Sequence, residues 1–173
     1  MSTGEVINYQ HTKMATEHFT LFLIVMAVIA AIVFIALYFV EAGYGMLFDK
    51  KWGFPIPNKI AWICMEAPVF IVMFLLWNGS ERQFETVPLL IFLFFELHYF
   101  QRSFIFPLLI KGKSKMPAGI MLMGITFNLL NGYMQGEWIF HLAPQDMYTE
   151  SWLYSPQFII GTILFFTGMA INI

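Results

Sequence analysis

The chain has 173 residues, 59% of them hydrophobic and 12% charged, with a mean hydropathy of +0.70. Soluble domains carry roughly 45–50% apolar and 25% charged residues, so this composition describes an integral membrane protein. A net charge of −2 and nine scattered Lys and Arg leave no basic face for a nucleic-acid backbone, and the single cysteine excludes an internal disulfide framework. That residue, Cys64, lies in an apolar stretch and is read as packing.

A membrane helix needs about 20 mostly apolar residues to cross a hydrocarbon core of about 30 Å. Five stretches approach this length, at about residues 19–40, 60–77, 87–110, 117–141 and 158–173. The expected fold is therefore an all-α multi-span helical bundle forming a single membrane domain. The first stretch is too long for a signal-peptide core and has no small-residue cleavage site after it, so it reads as a retained span. Apolar runs of this length are not the alternating strands of a barrel.

Loop composition sets the expected orientation. Lys50, Lys51, Lys59, Lys111, Lys113 and Lys115 fall in the first and third loops, against Lys13 and Arg82 on the other side. The positive-inside rule then places the N-terminus outside, lumenal or periplasmic, in a bacterial inner membrane or the endoplasmic reticulum. The last stretch stops at Ile173 without a cap or interfacial anchor. On this reading the chain is the front part of a larger protein.

Ionisable groups inside a membrane helix cost about 2.5–3.5 kcal/mol on insertion scales, so each needs a partner or a purpose. Glu66 stands in the second stretch, two residues before Pro68, where a missing N–H predicts a local break and a small cavity. It serves either as a buried ion-pair lock or as a catalytic carboxylate. In the third stretch, helical spacing puts Glu96, Tyr99 and Ser103 on one face and His98 with Arg102 on the other. Arg102 either snorkels to water or reaches an anionic ligand. His98 has no second ligand at metal spacing on its face, so no metal is expected. The fourth stretch aligns Asn128, Asn131 and Gln135 beside Gly132 and Gly136, a pattern that suits close helix packing and equally a ligand cavity. Twenty Phe face lipid, pack, or line a pocket for a flat apolar ligand.

Three segments in this order resemble the steroid 5α-reductase family. They are Ala61-Trp62-Ile63-Cys64-Met65-Glu66-Ala67-Pro68, the His98-Tyr99-Phe100-Gln101-Arg102 run with the basic turn after it, and Phe127-Asn128-Leu129-Leu130-Asn131-Gly132 followed later by Gly168-Met169-Ala170-Ile171-Asn172-Ile173. Gly43-Tyr44-Gly45 also fits, and the resemblance covers roughly residues 40–173. It implies a seven-helix membrane enzyme that uses NADPH to reduce the Δ4 double bond of 3-oxo steroids, with five of the helices here.

By the same likeness Glu66 and Tyr99 polarise the 3-oxo oxygen while hydride reaches C5. Trp62, Phe127 and Tyr44 line the steroid cavity, and Asn172 with Arg102 belongs to the cofactor site. The cofactor side is cytoplasmic, and most cofactor contacts are expected beyond residue 173. Two positions depart from the family: Met65 stands for a Gln beside the catalytic Glu in mammalian members, and Met123 for an Arg near the pocket. Glu96 has no recognised counterpart. Reductases of polyprenols or of 2-enoyl thioesters are the related alternatives, and a proton-coupled transporter or a helical scaffold the alternative of another class.

Overall fold

A computed structural model describes residues 3–41, 43 and 48–171 and shows an all-α membrane protein that divides into two units, Met1–Ala42 and Gly43–Ile173. The first unit is a helix, α1, Thr3–Ala36, which begins well before the apolar run because its polar start is helical too.

The second unit holds α2 (Asn58–Asn78) and α3 (Thr86–Phe100), the latter continuing through a π-helical turn at Gln101–Ile105 into the short α4, Phe106–Leu109. After these come α5 (Ala118–Glu137), extended by a second π-helical turn at Trp138–Leu142, and α6, Pro156–Ile171. Among the described residues three helices are long and apolar enough to cross a membrane: Lys13–Ala36, Asn58–Asn78 and Thr86–Leu109. The helix α6 is apolar but shorter, and α5 carries the amide-bearing stripe.

Prolines punctuate the helices. Pro57 precedes α2, Pro88 and Pro156 sit in first turns where their missing N–H costs nothing, and Ser155 Oγ accepts from Phe158 N at 3.2 Å as an N-cap. The expected break at Pro68 does not occur. The helix α2 runs through it unbroken, as membrane helices can. Cys64 is exposed on α2, so the packing role expected for it is not seen.

Two short strands, β1 (Pro55–Pro57) and β2 (Lys115–Pro117), pair antiparallel and clasp the first and third connections at one end of the helices. Asn58 N donates to Ser114 O and Ala118 N to Phe54 O, which extends the clasp on both sides. The chain reaches it through Gly53, at φ 110°, and crosses so close to α5 that a Cβ on Gly119 would lie 2.5 Å from the Trp52 carbonyl oxygen.

The helices α2 and α5 form the central pair. Gly132 faces Val69 and Val72, and Gly136 faces Leu76 and Met73, so small residues let the backbones approach. Beyond them Met73, Phe92, Ile139 and Phe140 make a buried apolar core, capped by Trp77 stacked on Phe92 at 4.4 Å. Buried Arg82 closes this end, with Nη1 donating to the carbonyls of Ile139 and Ala143 and Nε to Glu85.

Candidate active site

Trp62, Met65 and Glu66 occupy positions i, i+3 and i+4 on α2, and Gly124, Phe127 and Asn128 repeat that spacing on α5. Residues so spaced share a helix face, so each helix turns one stripe toward the same space. His98, Tyr99, Gln101 and Arg102 enter from α3 and its π-helical turn, and Met169 from α6. Together they enclose a cavity of about 500 Å³. Small-molecule sites generally span roughly 300–1,000 Å³.

Glu66 is buried and accepts at both oxygens. Arg102 Nε donates to Oε1 at 3.3 Å, and Asn128 Nδ2 to Oε2 at 3.2 Å. The same Nδ2 lies 2.7 Å from the Met65 carbonyl oxygen, which fixes the amide, since its own oxygen would be repelled there. The guanidinium of Arg102 also lies 4.4 Å from the centroid of the Trp62 ring and 4.9 Å from that of Phe106, and these rings meet edge to face. Ion pair and cation–π contact thus hold one side chain between α2 and α4.

Tyr99 approaches from α3, its ring against Phe95 at 4.6 Å and His98 at 5.0 Å. Its hydroxyl oxygen accepts from Asn131 Nδ2 at 3.1 Å. A phenol that accepts in this way keeps its proton for another acceptor.

The structure brings Trp62, Glu66, Tyr99, Arg102 and Phe127 around one cavity. Tyr44 and Asn172 lie outside the described residues. The expectation that His98 and Arg102 face away from Tyr99 is corrected, since all three line the cavity. Tyr99 and Arg102 stand at i and i+3, neighbours on a helix, and His98 lies next to Tyr99 on α3. Met123 is exposed and does not line the cavity, whereas its neighbour Gly124 does, closely covered by the flexible Met65 side chain. Met65, Gln101, Gly124 and Met169 were not singled out as wall residues from sequence. The matching i, i+3, i+4 pattern on α2 and α5 is the signal that carries the first and third of them.

Glu96 is buried one turn before Tyr99 but is not among the cavity-lining residues, and neither of its oxygens has a hydrogen-bond partner among the described residues. No group of three or more His, Cys, Asp or Glu among the described residues is placed to hold a metal.

The comparisons with known proteins agree with one another. The family described as 3-oxo-5-alpha-steroid 4-dehydrogenase matches residues 114–173. Steroid 5-alpha-reductase DET2 of Arabidopsis thaliana is 36% identical over 145 residues, which cover 80% of this chain and 55% of that protein. The protein of the same name from Gossypium hirsutum is 32% identical, covering 87% and 59%. The 3-oxo-5-alpha-steroid 4-dehydrogenase 1 of Bos taurus is 31% identical, covering 84% and 57%. The chain spans a little over half the length of these curated relatives.

Proposed function

We propose that this chain, a homologue of the steroid 5-alpha-reductases, builds the part of a membrane reductase that holds and polarises a 3-oxo steroid during saturation of its Δ4 double bond. One observation carries the reading: Glu66 of α2 and Tyr99 of α3 share a cavity of steroid-compatible size, and each is held by an amide of α5.

The chemistry asks for donors at the ketone. As hydride adds to C5, the electron pair of the C4–C5 double bond shifts toward C3, the 3-oxo oxygen becomes an enolate, and a proton from water then reaches C4. Donors fixed where that negative charge develops lower the barrier, because they need no reorganisation at the moment of reaction. Tyr99 is the ready donor, since Asn131 already occupies an acceptor position on its oxygen. Glu66 joins it at the same oxygen once substrate displaces one of its two present donors and the carboxyl carries a proton. Trp62 and Phe127 supply apolar walls.

The source of hydride in this reading is NADPH. The described residues do not complete a dinucleotide site, because Asn172 lies outside them and the Arg102 guanidinium is engaged by Glu66, Trp62 and Phe106. What this chain's own residues do is bind, exclude water and polarise. The remaining spans, an outside N-terminus and a cytoplasmic cofactor side belong to the same proposal.

The test is NADPH oxidation by the protein at its complete native length in detergent, with a Δ4-3-oxo steroid, comparing wild type with Glu66→Gln. Steroid-dependent oxidation that the variant loses is the expected result. Turnover only with a polyprenyl or acyl enone moves the substrate to the related reductases. No turnover in a folded sample, joined to proton-coupled uptake that ignores NADPH, replaces the enzyme with a transporter.

A further inference from the structure

Two polar groups of the cavity, Glu66 and Tyr99, are not held alike. Glu66 has two different donors, one of them a guanidinium packed on two rings, whereas among the described residues the Tyr99 hydroxyl has one hydrogen bond, from Asn131 Nδ2 at 3.1 Å. A phenolic hydroxyl rotates about its C–O bond, and its proton points wherever the local partners leave it. An amide NH₂ can only donate, so Asn131 sits on the side of the oxygen where the proton is not. The proton is thereby aimed elsewhere, and Tyr99 lines the cavity.

We propose that Asn131 is a positioning residue that sets the Tyr99 hydroxyl as a donor toward the ligand carbonyl. This rests on the reductase reading above and deepens it, since it assigns the direction of the Tyr99 hydrogen bond that the reading uses. Asn131 belongs to the same α5 stripe as Asn128, one turn further along, and the Gly132 contact with Val69 and Val72 beside it holds that stripe against α2. It is partly buried and is not among the residues lining the cavity, so its effect on a ligand passes through Tyr99.

The substitution that reverses the bond without changing shape is Asn131→Asp, because an aspartate accepts from the phenol and turns its proton away from the cavity. Asn131→Ala removes the bond and lets the hydroxyl rotate. With the complete protein and a Δ4-3-oxo steroid, Asn131→Ala is expected to lower kcat about tenfold with KM within about twofold, the size of one ordinary hydrogen bond. Asn131→Asp is expected to lower kcat further. In a Tyr99→Phe background neither change adds a loss, because the group they act on is gone.

Several results overturn the proposal while the reductase reading stands. An Asn131→Asp variant as active as wild type shows that the amide oxygen, not its NH₂, faces the phenol. Losses that add in full to those of Tyr99→Phe, or that fall on KM, give Asn131 a packing role. Failure of both variants to fold, read by thermal unfolding in detergent, does the same. Absence of turnover in folded wild type with any enone removes the reductase reading and this inference with it.

Discussion

Where Trp62, Met65 and Glu66 of α2 face Gly124, Phe127 and Asn128 of α5, the helices meet around a carboxylate, an amide and a guanidinium; from Val69 to Trp77 and from Gly132 onward the same two helices meet through glycine, valine, leucine and aromatic rings. The first region keeps open space and strong dipoles and leaves its chemistry available to a ligand. The second fills its space and fixes the distance between backbones. A rigid apolar contact a turn or two away is what allows a polar cavity to hold its groups at hydrogen-bond length without collapsing.

Substitutions can break or sharpen this contrast. The largest effect is expected at the cavity: Tyr99→Phe should lower kcat about 10²–10³-fold, as removal of one preorganised oxyanion donor does, with KM and thermal stability nearly unchanged. Steady-state kinetics with a Δ4-3-oxo steroid reads it, and an unchanged kcat removes Tyr99 from the chemistry. Asn128→Leu comes next and should weaken both properties, because Glu66 Oε2 and the Met65 carbonyl lose their donor at a stability cost of about 1–3 kcal/mol.

At the packed end the pattern should invert. A Cβ on Gly136 would stand 2.6 Å from Leu76 Cδ1 and 3.2 Å from Met73 Sδ, so Gly136→Val should cost about 1–3 kcal/mol in unfolding while the folded fraction keeps its kcat. A large kcat effect there would mean that the two regions are not separable. The smallest effect is expected for Cys64→Ala, on the exposed side of α2 between cavity residues, where both readouts should stay within about 0.5 kcal/mol of wild type.

The fold class was legible because composition alone demands it, and the helices of the second unit lie close to the apolar runs that announce them. What hydropathy did not carry is visible at α1, whose polar first turns are helical from Thr3, and at Pro68, which α2 absorbs without breaking. In the candidate site, Glu66, Tyr99 and Trp62 were legible through an ordered set of motifs. The pairing of Asn128 with Glu66 was not, because it depends on the register of α5 against α2, which Gly132 and Gly136 set in space. Arg102 lines the same cavity as Tyr99, as the i, i+3 spacing of the two residues allows even on a regular helix.

The bond between Glu66 and Asn128 joins residues 62 positions apart, and the one between Glu66 and Arg102 joins residues 36 apart. During synthesis at about 5–20 residues per second, the carboxylate is made seconds before either partner. The partners of the α2 carboxylate therefore follow it in order, Arg102 first and Asn128 after. The β1 to β2 clasp can close once Pro117 has been made, and so it precedes the arrival of Asn128.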